Sequence, residues 1–343
     1  MDLVQKKDTI LDYPDIRIPE AGKTEEILPG IRWVRMPLPM ALDHVNLWLL
    51  ADGDRWAAVD TGIATEDQKV LWRQVLADHP LSHLVVPHLH PDHVGLASWL
   101  QEQTGAPLWM TLGEYSTAHL FLSQLECWSF SEVEALYARH GLSKEMLAAL
   151  AARSGGYRKG VPALPPSYRR MIDGDRFTIG QHEWRVITGH GHSPEHAALY
   201  CDELHVLVSG DMMLPRISTN VSVLPSCPDD DTLGRFLDSI SRFEELPEDT
   251  LVLPAHGRPF RGLHLRIAQL KAHHAERCEV LTDACATPQT AADLVPVLFD
   301  RPINDAHQIF FALGEAIAHL NHLLRAGRIR RLEEDSIIRF ITV

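Results

Sequence analysis

The stretch VVPHLHPDHVGLA, residues 85–97, constrains the fold of this chain more than any other. An apolar run ends at Pro87, and His88, His90, Asp92 and His93 follow within six positions. Side chains two apart in extended backbone lie on one side, so His88 and His90 can approach one cation. Asp92 and His93, where the chain turns into a helix, can face a second. A bound metal needs three or four such groups. The missing ligands must therefore come from other segments, and the fold has to bring those segments to this strand end.

Three segments qualify, each closing an apolar run: GHGHSPEH after WRVIT, SGD after HVLV, and PAHG after TLVL. Loops at the ends of neighbouring strands converge across large sequence distances. The chain holds 20 histidines, so a lone His-x-His means little, and it is the ordered recurrence at strand ends that counts. Asp60, ahead of Thr61 and Gly62, reads locally as a strand-ending Asx turn.

The hydrophobic pattern supplies those strands. From IRWVRMPL through HVNLWLLADGDRWAAVDTG, short runs rich in Val, Leu, Ile and Trp are broken by Asp-Gly, a strand and hairpin signature. ATEDQKVLWRQVLADHP places Val70, Leu71, Val75 and Leu76 at helical spacing, and LSHLVVPH is again a short buried strand. Strand, helix, strand is the order of a layered α/β domain. Residues 113 to about 170 turn helical, with Ser131 and Glu134 spaced as a capping box and Gly141 placed as a C-cap, and RSGGYRKGVPALPPSYRR follows as a Gly/Pro loop. This block reads as an insertion laid over the main domain, a helical excursion or a lid. RFTIGQHEWRVITGH, HAALYCDELHVLVSGD and TLVLPAHG resume the strands.

Beyond residue 261 the pattern is helical, then closes in the ribbon RIRRLEEDSIIRF. Thr287 before Pro288 reads as an N-cap and first helical residue, and Gly327 as the residue that stops the long helix. The expected organisation is an N-terminal extension (1–24), a main domain (25–261) carrying the insertion, a linking helix (262–286) and a small C-terminal domain (287–343).

HLHPDH, GHS, SGD and PAHG, in that order and preceded by AAVDTG, resemble the metallo-β-lactamase superfamily over roughly residues 25–260. The resemblance implies an α/β fold, the four-layered αββα sandwich. It implies that His88, His90 and His192 bind a first metal, that Asp92, His93 and His256 bind a second, and that Asp211 bridges the two. His192 is preferred to His190 because the family's Gly-His-Ser pattern falls there. Asp60 becomes support for a ligand histidine, and His196 a supporting or core residue. Two divalent ions are implied; the His and carboxylate set suits Zn²⁺, with Fe and Mn as alternatives. Such ions lower the pKa of water from about 15.7 to about 7 and hold a bridging hydroxide as nucleophile. The resemblance gives Asp92 and Asp211 as the catalytic residues, able to shuttle the proton, and the reaction it implies is hydrolysis.

Departures from particular branches narrow the substrate. Zinc-cysteine β-lactamases of the family have Cys where this chain has Asp211, and the oxygen-reducing di-iron branch has Glu where this chain has His90. Acyl-homoserine lactonases carry Tyr three residues past the bridging aspartate, where this chain has Leu214. The seven implied ligands match the glyoxalase II-like thioesterases best, so a glutathione or coenzyme A thioester is the expected substrate. A lactonase or other carboxylic ester hydrolase and a phosphodiesterase are the alternatives. Arg216, Tyr157, Arg158, Lys159, Tyr168, Arg169 and Arg170 are the candidates for holding carboxylates or phosphates of the thiol carrier.

The C-terminal segment resembles the winged-helix tail that follows some of these domains. A winged-helix DNA-binding regulator with a metal-sensing domain is thus the non-enzyme alternative, with Arg325, Arg328, Arg330, Arg331 and Arg339 as contacts. Glu333, Glu334 and Asp335 at the wing tip oppose it, as does a net charge of −14. The expected partner is a small-molecule substrate, without nucleic acid or membrane, and packing of the tail on the main domain or in a homodimer is favoured. No apolar run approaches the ~20 residues of a membrane span. The polar, acidic start has no signal-peptide core, which points to the cytoplasm. Five cysteines (Cys127, Cys201, Cys227, Cys278, Cys285) without a C-x-x-C pair fit reduced thiols.

Overall fold

The computed structural model describes residues 10–40, 42–123, 125, 129–152, 155–299, 303 and 305–343; Cys127 lies outside them. The first sheet is built from β1 (Thr24–Leu28), β2 (Ile31–Pro37), β3 (His44–Asp52), β4 (Arg55–Val59), β5 (Leu81–Val85), β6 (Leu108–Thr111) and β7 (Arg169–Met171), in spatial as well as chain order. β1 to β4 form an antiparallel meander, whereas β4 through β7 are parallel. Parallel neighbours need crossovers. These are α1 (Glu66–Asp78) between β4 and β5, and α2 (Pro91–Val94) with α3 (Ala97–Thr104) between β5 and β6. Thr65 caps α1 by accepting from the Gln68 amide at 3.2 Å.

Between β6 and β7 runs the helical block: α4 (Leu112–Ser123), α5 (Phe130–Arg139), α6 (Lys144–Ala151) and α7 (Gly156–Gly160). The second sheet contains β8 (Arg176–Ile179), β9 (His182–Gly189), β10 (His196–Cys201), β11 (Val206–Gly210) and β12 (Leu251–Pro254). It is antiparallel except at β11–β12, which α8 (Thr232–Ser241) connects. α9 (Leu263–Ala284), α10 (Ala291–Leu298) and α11 (Ala306–Arg325) follow, then the ribbon β13 (Ile329–Glu334) and β14 (Ile337–Thr342).

The layering is written in strand alternation. On β3, Val45, Leu47 and Leu49 enter the core beneath α1 and α3, whereas Trp48 and Leu50 enter the core between the sheets. On β10, Ala197, Leu199 and Cys201 face the first sheet, and Ala198 and Tyr200 face the C-terminal helices. A strand covered on both faces reads as a continuous apolar run with a period of two in its destinations. The result is helices, sheet, sheet, helices, the αββα sandwich.

Two capping expectations need correction. α5 starts at Phe130 with Ser129 as its N-cap, so Ser131 and Glu134 lie inside it. Phe130 packs on the core and draws the helix start upstream. Thr287 does not cap α10; Thr290 does, in a reciprocal capping box with Asp293. Gln289 is extended and exchanges backbone hydrogen bonds with Phe340 of β14 at 3.0 and 2.8 Å, so the helix cannot begin before it. Gly141 and Gly327 both adopt positive φ at their helix ends, +88° and +69°. Among the described residues no helix is long and apolar enough to cross a membrane.

Candidate metal centre

The motif residues gather at one end of the sandwich. His88 and His90 follow β5, and Asp92 and His93 sit on α2. His192 lies in the β9–β10 loop, Asp211 just past β11, and His256 just past β12. Two groups of ligand atoms result, each within 4.8 Å: His88, His90, His192 and Asp211 in one, Asp92, His93 and His256 in the other. Asp211 spans the gap between them. Its Oδ2 is 3.3 Å from His192 Nε2 and its Oδ1 is 3.3 Å from His256 Nε2. Oδ2 also lies 3.8 Å from His88 Nε2 and 3.6 Å from His93 Nε2, while Asp92 Oδ2 is 3.5 and 3.4 Å from His93 and His256.

Hydrogen bonds behind the rings fix which nitrogen faces the cluster. His192 Nδ1 is 2.7 Å from the Asn220 carbonyl and His256 Nδ1 is 2.7 Å from the His44 carbonyl. A carbonyl only accepts, so both Nδ1 atoms carry the proton and both Nε2 atoms present lone pairs. His93 Nδ1 is held by Asp60 Oδ1 at 2.8 Å, which aims Nε2 the same way. His93 Nε2 and Asp211 Oδ1 are buried with no hydrogen-bond partner among the described residues. Converging lone pairs and carboxylate oxygens, supported from behind, are a donor set that fits divalent cations.

Charge in the metal-free protein follows burial and neighbours. Burial, with the adjacent imidazoles, holds His88 and His90 well below the ordinary histidine value. Burial works the same way on His93, but Asp60, Asp92 and Asp211 outweigh it and raise that ring well above its ordinary value. Burial likewise opposes the ionised form of Asp211, yet His256 and His93 hold it well below the carboxylate range.

Other site candidates divide. His190 is exposed and bonded to the Pro194 carbonyl, outside the cluster. His196 is fully buried and its Nε2 accepts from the Asp211 amide at 3.2 Å. Gly210 makes room for this: its φ is +51°, and a Cβ there would sit 2.4 Å from that Nε2. Tyr157 donates to the carbonyl of Leu89, between His88 and His90, so it braces the motif. Tyr168 stacks on Tyr115 at 3.9 Å and the Arg169 guanidinium lies over Trp109. Arg158 and Lys159 are exposed on α7, Arg170 on β7, and Arg216 on the loop after Asp211.

Sequence reasoning missed several buried and half-buried residues. Asn46 on β3 accepts from Trp33 Nε1 and donates to the carbonyls of Pro254 and Gly257, anchoring the His256 turn. Asn220 donates from Nδ2 to Glu315 of α11 at 3.3 Å while its carbonyl holds His192. Glu114 of α4, fully buried, accepts from three donors on the ligand loops. Nothing local marks these residues; their partners lie tens to hundreds of positions away.

Fold and site together define a metal-dependent hydrolase on a layered sandwich. Residues 40–256 match the family model described as the metallo-beta-lactamase superfamily, and the chain belongs to that superfamily. Residues 278–343 match the model described as the metallo-beta-lactamase-like C-terminal domain. A solved beta-lactamase domain protein from Burkholderia ambifaria is 48% identical with a TM-score of 0.90, over 97% of this chain and 98% of that one. A probable metallo-hydrolase of Bacillus subtilis, YqjP, is 24% identical over 93% of this chain and 99% of its own length. An atrochrysone carboxyl ACP thioesterase of Aspergillus fumigatus is 21% identical over 86% of this chain and 81% of its own length.

Proposed function

We propose that the chain is a dinuclear metallo-hydrolase that cleaves thioesters. The observation that carries the dinuclear reading is Asp211, whose Oδ2 lies 3.3 Å from His192 Nε2 in one cluster and whose Oδ1 lies 3.3 Å from His256 Nε2 in the other. In this reading His88, His90 and His192 hold one ion, Asp92, His93 and His256 the other, and Asp211 both. Histidine nitrogens with carboxylate oxygens suit Zn²⁺, and Fe or Mn take the same set. When bound, such ions make water nucleophilic at neutral pH and polarise the scissile carbonyl. The protein's own groups do the rest. Asp60, Asn220 and the His44 carbonyl orient the rings. The carboxylates of Asp92 and Asp211 take the proton that water loses as the carbonyl is attacked, and deliver it to the departing thiolate. The products are a carboxylic acid and a thiol.

The thioester class is supported by the ligand pattern and by the thioesterase that aligns with most of this chain. Arg216, exposed five positions past Asp211, is the cation we assign to the acidic groups of the thiol carrier. Tyr157 bonds the Leu89 carbonyl, Tyr168 stacks on Tyr115 and the exposed Arg169 lies over Trp109; with Arg158 and Lys159 they remain further candidates for that role. The arginines offered for DNA contact are partly committed: Arg328 pairs with Glu279 through two bonds of 2.9 and 2.7 Å, and Arg331 with Asp229 at 2.9 Å.

The test is elemental analysis of tag-free protein followed by a hydrolysis panel of acyl-glutathione, acyl-coenzyme A, acyl carrier protein thioesters, lactones and a phosphodiester. Two metal equivalents with thioester turnover are expected, and which carrier is cleaved assigns the branch. Turnover of the phosphodiester or lactone alone would overturn the substrate class. Retardation of DNA in a gel at low salt, with no turnover, would replace the enzyme by a regulator.

A further inference from the structure

α4 begins immediately after β6, and its third residue is Glu114. The carboxylate is fully buried, and its two oxygens face different loops. Oε2 accepts from the Leu89 amide at 2.9 Å, between His88 and His90. Oε1 accepts from the Ser193 hydroxyl and the Glu195 amide, each at 2.6 Å, in the loop that carries His192. The latch is returned from the other side. Glu195 Oε2 accepts from the Gly113 amide at 2.7 Å, and the Glu195 carbonyl accepts from Thr111 Oγ1 at 2.7 Å.

We propose that Glu114 is a positioning residue for the first metal: one buried carboxylate ties the His88–His90 loop to the His192 loop and so sets the spacing of the three histidines that share an ion. The proposal rests on the two-metal reading above. Its geometric content is strict because all three partners are donors, two of them backbone amides that cannot change role. Only an ionised carboxylate accepts all three. An amide at this position has one acceptor oxygen. Placed at Oε1, that oxygen leaves an NH₂ group facing the Leu89 amide; placed at Oε2, it leaves one facing the Glu195 amide. Either way one loop is released, and a buried donor loses its partner. Its three hydrogen-bond donors are the Leu89 amide on one side of the ion and the Ser193 hydroxyl and Glu195 amide on the other, so it acts through the segments that carry the ligands. The pairs Leu89–Glu114 and Glu114–Ser193 span 25 and 79 positions, so the latch exists only in the folded chain.

The experiment is Co²⁺ titration of the metal-free full chain against a chelating competitor, following the visible Co²⁺ bands, for the wild type and Glu114→Gln. The wild type is expected to take up two ions. In Glu114→Gln one of the two should bind roughly 10- to 100-fold more weakly, the size expected when support behind a ligand is removed, with the other unchanged. A generally structural role would instead lower the melting temperature of the metal-free protein and leave the two sites alike. Two sites of wild-type affinity in Glu114→Gln would overturn the proposal. Should that variant fail to fold, Ser193→Ala removes a single donor and should weaken the same site several-fold; no change there also overturns it. A wild type that binds fewer than two Co²⁺ fails at the earlier step, sinking the two-metal reading and the latch with it, and is told apart by the wild-type titration alone.

Discussion

Glu315 offers a prediction in which the sign is as informative as the size. It sits on α11, 8% exposed, and accepts from Asn220 Nδ2 at 3.3 Å. Burial pushes its carboxyl up to about 7 from an ordinary 4.5, against the Asn220 hydrogen bond and the charge of Arg277. The folded protein therefore holds this proton where the unfolded chain releases it. Between pH 4.5 and about 7 the folded state binds more protons, so stability falls as pH rises through that window and the cost is complete above it. At 1.36 kcal/mol per pH unit the interval is worth about 3 kcal/mol. Glu315→Gln keeps the shape and an acceptor for Asn220 but has no charge to bury. For a chain of this length 1 kcal/mol moves the melting temperature by about 1.4 °C. The variant, metal-free, should melt about 4 °C above the wild type at pH 8.5, and the gap should close towards pH 5. Differential scanning calorimetry across that range measures it. A gap that is independent of pH, or a variant less stable at pH 8.5, would refute the reasoning.

Asp211→Asn preserves shape while removing the charge that faces both clusters, so bound metal and turnover should each fall by more than about 100-fold with an unchanged far-UV circular dichroism spectrum; a fully active variant would remove the shared-ligand assignment. Burial holds His274 to about 3, and His319 and His140 to about 4, below an ordinary 6.5. Their contribution is present above pH 6.5 and is lost as pH falls towards 4, opposite in sign to that of Glu315. The urea midpoint of metal-free protein should drop between pH 7.5 and 5.5, and an unchanged midpoint would contradict the burial argument.

The strand-end histidines and aspartates were legible because each closes a short apolar run, and a run's end is a local feature. His192 could be told from His190 only through the family pattern, and the structure gives the physical difference: His190 turns back to Pro194 while His192 is pinned by Asn220. Glu114 was not legible. In TLGEYST it reads as an acid in a helix's first turn, where the macrodipole alone would account for it. Thr287 misled for a related reason, since the β14 strand that keeps Gln289 extended lies some fifty positions downstream. The basic and aromatic residues of the 157–170 stretch showed their chemistry but not their engagement, because the Leu89 carbonyl and Trp109 are met only on folding.

The helical block between β6 and β7 makes contacts in two directions. Its first helix supplies Glu114 to the ligand loops, whereas Leu136, Tyr137 and Leu150 of its later helices join one core with the outer face of the second sheet and with α9, α10 and α11. Tyr137 donates to the Phe310 carbonyl of α11, the Ala292 amide of α10 donates to His140, and Arg139 pairs with Glu333 of β13. α11 in turn reaches Asn220 through Glu315. His192 is therefore held from both flanks, Ser193 by α4 and its own ring nitrogen by Asn220. Loosening the contact between the block's later helices and α11 would consequently act on the His192 loop through Glu315 and Asn220, without altering any residue that faces a metal.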